Sequence, residues 1–230
     1  MTESIRKKSH AIIIAALLVT SLLMHAQTNE KKPGKGMQSN PETVRLFNGK
    51  DLSNWIFFLK DSKVDPVKVF TAENGIIHIT GSPYGYMRTK GTYSNYRLHV
   101  EWRWPAEATN SGVFVHVQSP DAIWPECIEC QLQAGNAGDF VCMNGADMDE
   151  HTDKSSALVK KMGPSTEMTV GSWNTMEVVC SGNTIEVYVN GILLNKGTNT
   201  SVNSGSISLQ SEGKDIEFRN VSLTPLQKQK

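Results

Sequence analysis

The sequence predicts an all-β domain built as a two-sheet sandwich or jelly roll. Three observations predict it. Beyond position 42, apolar residues alternate with period two in run after run, the spacing that sends successive side chains to opposite faces of a strand. Turn signals separate the runs, Asn74-Gly75 and Asn190-Gly191 among them, and such dipeptides mark two-residue hairpins. No stretch of helical period lasts more than a turn or two. About a dozen short strands with frequent turns make a sandwich or jelly roll.

The chain has 230 residues. Arg6, Lys7, Lys8 and His10 form a basic start before the apolar run from Ala11 to Met24. That run is shorter than the ~20 residues of a membrane span, and polar sequence follows it. Residues 1–26 therefore read as a secretory signal peptide cleaved after Ala26, with an uncleaved anchor as the alternative. Residues 27–41 are rich in Lys, Gly, Pro and Asn and read as a flexible leader. The domain is expected over 42–226, followed by a tail at 227–230. Its destination is the periplasm or the outside of the cell, with no membrane attachment after cleavage. Lys+Arg and Asp+Glu balance at 23 each, with no basic stripe, which argues against a nucleic-acid partner. The sequence does not specify an oligomeric state.

In order, Leu46-Phe47, the turn Asn48 to Asp51, and the strand Trp55 to Leu59 open the domain. A hairpin follows, Val69-Phe70 to Ile79 around Asn74-Gly75, then a short strand at Tyr86 to Thr89. Residues 98–133 hold three alternating strands. Leu98, Val100 and Trp102 oppose His99, Glu101 and Arg103. Val113, Val115 and Val117 oppose Phe114, His116 and Gln118. Ile128, Cys130 and Leu132 oppose Glu129, Gln131 and Gln133. If these strands pair with polar faces aligned, Glu101, Arg103, His116, Glu129 and Gln131 share one surface suited to sugar chemistry. Residues 134–169 read as an irregular loop excursion over that face. A meander closes the chain: Trp173 to Cys180, Thr184 to Val189, Ile192 to Leu194, Gly205 to Leu209 and Ile216 to Leu223.

Cys127 and Cys130 form a C-x-x-C. On a strand these positions lie on opposite faces and about 10 Å apart, beyond the roughly 7 Å that a disulfide spans. Buried thiols are the reading adopted, with a Cys127–Cys142 bridge as the pairing that an oxidising compartment permits. No metal is expected: zinc lacks a second closely spaced pair, and the acidic patch at 147–151 lacks calcium-loop spacing.

Several motifs resemble a known family in its order along the chain. They are Leu46 to Trp55 (LFNGKDLSNW), Glu101-Trp102-Arg103, Asn110 to Phe114 (NSGVF), Glu129 with Gln131, Gly171 to Asn174, Val189-Asn190-Gly191, and Gly205 to Gln210 with Phe218 to Val221. The chain is similar over 44–226 to the 3-keto-disaccharide hydrolases. The resemblance implies a concanavalin A-like jelly roll in secreted proteins of Bacteroides-type bacteria. It also implies cleavage of glycosides whose sugar is oxidised to a 3-ketone. Many members carry Arg where this chain has His116.

A 3-keto group acidifies the neighbouring C2–H. A base removes that proton, the C1 oxygen leaves, and water adds later. The reaction needs a base, an acid and donors for the enolate. His116 suits the base, since imidazole titrates near neutrality. Glu129 suits the acid or an alternative base. Arg103 and Gln131 suit the enolate or ring hydroxyls, and Glu101, Asn110, Trp124 and His151 complete the expected substrate contacts. An ordinary two-carboxylate glycosidase would instead pair Glu129 with Glu101 or Glu126. Blander roles exist for each: a structural imidazole at His116, cross-strand pairing at Arg103, a core plug at Trp124, a solvated loop at His151. No cofactor is expected. The partner is a carbohydrate, and a lectin-like binding module is the alternative to an enzyme. A surface interaction domain would carry an apolar patch instead.

Overall fold

The computed structural model describes residues 41–227. The expected signal peptide, nearly all of the expected leader, and residues 228–230 lie outside the described residues. The first strands are β1 (Val44–Arg45), β2 (Trp55–Leu59), β3 (Phe70–Glu73), β4 (Ile76–Ile79) and β5 (Gly85–Thr89). The middle of the chain forms β6 (Tyr96–Arg103), β7 (Gly112–Val117), β8 (Cys127–Gln131), β9 (Phe140–Met143) and β10 (Leu158–Val159). The end forms β11 (Asn174–Ser181), β12 (Thr184–Val189), β13 (Ile192–Gly197), β14 (Ser206–Ser211) and β15 (Ile216–Pro225). One 3-10 turn, Pro66–Lys68, interrupts them. No helix among the described residues is long and apolar enough to cross a membrane.

The strands form two antiparallel sheets. One runs β13-β12-β11-β6-β15-β4-β3, with β1 beside β15; the other runs β10-β9-β8-β7-β14-β5-β2. The core lies between them. Leu98, Val100 and Trp102 of β6 and Met176 and Val178 of β11 face Val113 and Val115 of β7, Ile128 of β8, and Ile207 and Leu209 of β14. The alternation read from the sequence packs two sheets face to face. Trp102 is wholly buried; truncating such a side chain to Ala costs about 3–5 kcal/mol. Both Asn-Gly turns sit in the left-handed region, Asn74 and Gly75 at φ 52° and 79°, Asn190 and Gly191 at 49° and 82°. That is the conformation a type I′ hairpin demands.

Two expectations are corrected. The three strands of 98–133 do not share a sheet: β6 lies between β11 and β15, while β7 and β8 belong to the other sheet. Residues 104–111 carry the chain from one sheet to the other. Consecutive strands are neighbours only about two-thirds of the time, and here the crossover intervenes. The outward row of β6, with Glu101 and Arg103, therefore faces away from the row of β8. Nor is 134–169 all loop. It contributes β9, in register with β8 (Cys127 with Met143, Glu129 with Val141), and the edge strand β10. Gly135, Gly138 and Gly145, all at positive φ, make turns there that mask the strands in sequence.

The four cysteines are buried and unbridged, Cys127 and Cys142 included. Cys130 points into the core, whereas Cys127 joins a second cluster with Tyr86, Phe114, Val117 and Met143. That cluster lies on the outward face of the seven-stranded sheet. Tyr86 stacks on Phe58 with ring centroids 5.2 Å apart and meets Phe114 edge-on at 5.8 Å. An outward face built this way is a floor for something laid over it.

Candidate active site

Strand register assembles the site beside that floor. Glu129 on β8 lies opposite Phe114 and Val141, and Gln131 lies opposite Gly112. On β14, Ser208 lies opposite Phe114 and Arg88, and Gln210 opposite Tyr86. Tyr84 precedes β5, Glu212 follows β14, and Asn110 precedes β7. A cavity of about 500 Å³ opens here, lined by Trp124, Glu129, Gln131, Val141, Met143 and Glu212, with Cys142, Asn144 and Ala157 along one side. The 134–169 segment thus supplies one wall.

Glu129 is only 3% exposed, and its Oε1 has no hydrogen-bond partner. Burial pushes its carboxyl up to about 8, and the nearby charge of Glu212 adds to the shift. The side chain lies over Gly112, where a Cβ would come within 2.0 Å of Oε1. The glycine of Asn110-Ser111-Gly112 is thereby explained: it leaves room for a carboxyl. Burial also raises Glu212, while the side chains of Asn110 and Gln210 beside it pull the other way.

Further polar atoms gather without partners: Tyr84 OH, Asn110 Oδ1, Ser208 Oγ and both head atoms of Gln210. Buried polar groups are nearly always satisfied, so this concentration suits a ligand rich in hydroxyls. Gln131 is fixed differently. Its Oε1 accepts from the N–H groups of Leu132 and Gln133, each at 2.8 Å, leaving Nε2 as a donor. Trp124, 51% exposed, rests against Tyr84 with centroids 4.5 Å apart. Its loop is pinned by Arg88, which donates through Nε and Nη2 to Asp121 at 2.7 and 2.8 Å.

His116 is not on this surface. The pairing of β7 with β14 slips between Ser206 and Ser208, and His116 takes φ 57°. A bulge of this kind breaks the two-residue period. It turns the imidazole inward, edge-on to the buried Tyr96 at 5.7 Å. Nδ1 donates to Val202 O at 3.2 Å, leaving Nε2 bare and unpartnered. Burial lowers its pKa to about 4, so the ring is neutral. Gly205 makes the bulge possible, since a Cβ there would lie 2.4 Å from the His116 carbonyl carbon.

Glu101 and Arg103 are also elsewhere, on the outward face of the eight-stranded sheet. Arg103 pairs with Glu217. Glu101 accepts from Arg219 Nε at 2.6 Å and Asn220 Nδ2 at 2.7 Å. Both guanidiniums lie over Trp173, at 4.6 and 4.0 Å from its centroid. The Glu-Trp-Arg, Ser-Trp-Asn and Phe-Arg-Asn motifs meet in this layer. His151 belongs to a third place, the loop after β9, bound to Asp147 and Ser156. Of the expected residues, the structure brings together Glu129, Gln131, Asn110 and Trp124. It adds Tyr84, Gln210 and Glu212. Gln210 had a signal, the outward row Ser206, Ser208, Gln210 against Ile207 and Leu209. Tyr84 and Glu212 sit in turns, where periodicity is silent.

Comparison with known proteins agrees with this architecture. Residues 42–224 match the family model of the 3-keto-alpha-glucoside-1,2-lyase-like domain. No curated protein matches the chain. A candidate glycosyl hydrolase from Parabacteroides distasonis is similar in structure, with TM-score 0.61 and 24% identity, covering 80% of this chain and 94% of that one. The carbohydrate binding module CBM66 from Bacillus subtilis gives 0.55 at 9% identity, over 74% and 94%. The beta-glucanase of Bacillus licheniformis gives 0.53 at 14% identity, over 83% and 100%. These likenesses show a shared concanavalin A-like jelly roll.

Proposed function

The chain belongs to the family of 3-keto-alpha-glucoside-1,2-lyase-like domains, and from that premise we propose that it cleaves 3-keto-glycosides in the cavity that holds Glu129 and Glu212. The observation that carries the reading is Glu129 itself. A carboxyl that keeps its proton to about pH 8 is a proton donor at neutral pH. It serves the departing C1 oxygen. Glu212, the less buried of the pair, ionises first, because two close carboxylates resist sharing charge; it takes the C2 proton. The electron pair released at C2 forms the C1–C2 double bond as the C1–O bond breaks, and water then adds to the resulting enone. Gln131 Nε2 and the Tyr84 hydroxyl are the donors available to the ketone oxygen. Trp124 offers a face for the sugar or its leaving group.

A lectin-like module is the second reading, favoured by the exposed Trp124 against Tyr84. The pH dependence separates the two. Release of leaving group from a 3-keto-glucoside falls as pH rises through about 8, and Glu129→Gln loses that limb. A rate that climbs through the same range contradicts an acid at Glu129. Stability has the matching sign. A Glu unfolds to a pKa of about 4.3, so the native state holds the extra proton between there and about 8. Stability falls as pH rises across that window, and Glu129→Gln flattens the fall in thermal melts.

The charged layer on the other sheet takes no part. Arg103→Ala leaves kcat/KM within about twofold and costs about 1 kcal/mol of stability, as partly exposed ion pairs and cation–π contacts do. A hundredfold loss of kcat/KM with an intact melt would return that layer to the site. The basic start and apolar run of residues 6–24 support delivery to the periplasm or the outside.

A further inference from the structure

The loop after β9 holds chemistry that the cavity does not use. Cys142 Sγ, a carboxylate oxygen of Asp147 and a ring nitrogen of His151 lie within 4.8 Å of one another. His151 Nε2 is 2.6 Å from Ser156 O. A carbonyl only accepts, so Nε2 carries a hydrogen. His151 Nδ1 is 2.7 Å from Asp147 Oδ1, and a carboxylate also only accepts. Lys154 Nζ lies 2.7 and 2.6 Å from the two Asp147 oxygens and 3.4 Å from Nδ1. The loop therefore gathers a cation, an imidazole and a carboxylate at one point, with a thiol at hand.

We propose that this point is a site for a divalent metal of the zinc type, held by Cys142, Asp147 and His151, with Lys154 as the occupant it displaces. The donor set selects the class. Calcium and magnesium take oxygen ligands, whereas sulfur, imidazole and carboxylate together suit Zn²⁺. The bond from His151 Nε2 to Ser156 is the outer contact that orients a metal-binding imidazole. Thiolate and carboxylate neutralise a divalent ion, while the ammonium leaves the thiol unused. Zinc bonds of about 2.0–2.3 Å at tetrahedral angles set donors about 3.3–3.7 Å apart, so the His151–Asp147 pair opens from 2.7 Å while the wider gaps of the cluster close. Asp147 and Lys154 have about half of their side chains exposed, on a loop with room to move. Three protein ligands leave a fourth position open.

The test is titration of untagged protein with Zn²⁺ by calorimetry and with Co²⁺ by absorption. One ion binds per chain, and the cobalt form shows a thiolate-to-metal charge-transfer band. Cys142→Ser and His151→Gln each weaken binding by at least about tenfold, with thermal melts confirming that they fold. Lys154→Met, which removes the competing ammonium, tightens binding severalfold. Absence of binding, a cobalt complex without the thiolate band, or an affinity unmoved by Lys154→Met overturns the proposal. The last two readouts stand even where the cysteine variant fails to fold.

Discussion

Glu129→Gln should lower release of the leaving group from a 3-keto-glucoside by about 10²- to 10⁴-fold, the range a positioned acid supplies. The substitution keeps the side chain's shape and, below pH 8, its neutrality, because the native carboxyl is protonated up to about that value. Its melting temperature should therefore match the parent's near pH 4 and exceed it at pH 7, where the parent, but not the variant, must take up a proton to fold. Kinetics and a melt on the same sample check this. Equal loss of activity and stability would make Glu129 a structural residue. The outward charged layer gives the control: Glu101→Gln, which changes a carboxylate held by Arg219 and Asn220, should leave kcat/KM within about twofold.

The second large effect is at a residue with no side chain. In Gly112→Ala the new Cβ would stand 2.0 Å from Glu129 Oε1 and 2.7 Å from its Cδ. The carboxyl must move. A displacement near an ångström costs on the order of 10² in rate, and overpacking costs about 1–3 kcal/mol. The two losses separate in the double variant. Gly112→Ala with Glu129→Ala should recover stability relative to Gly112→Ala alone, because the clash is gone, while activity stays lost. Additive destabilisation would mean that the two residues do not touch energetically.

Much of the fold was legible, because a sandwich depends on alternation and turns. The row Ile128, Cys130, Leu132 faces the core, and Glu129 and Gln131 face outward, as the period of two requires. The same period was right for 98–103 but silent about the sheet that strand enters. Its partners are β11 and β15, more than 70 residues away in the chain, and no local pattern records such a pairing. His116 was misread for a different reason. A bulge spends one residue without advancing the register, so every face assignment past Val115 depends on a feature visible only when β14 is alongside. Glu212 lies just past the end of β14, in a turn whose Gly213-Lys214 reads as punctuation. The carboxylate pair was therefore half visible: one member stands on a strand, the other in a loop.

The proposal that the pocket on the seven-stranded sheet acts on a ketone-activated glycoside rests on the buried, protonated Glu129. Its most direct test is to incubate the protein with a 3-keto-glucoside and, separately, with the unoxidised parent glucoside, and to follow release of the leaving group. Release from the keto form alone, lost in Glu129→Gln, is the predicted result. Binding of both sugars with no release from either would contradict it and leave a carbohydrate-binding module.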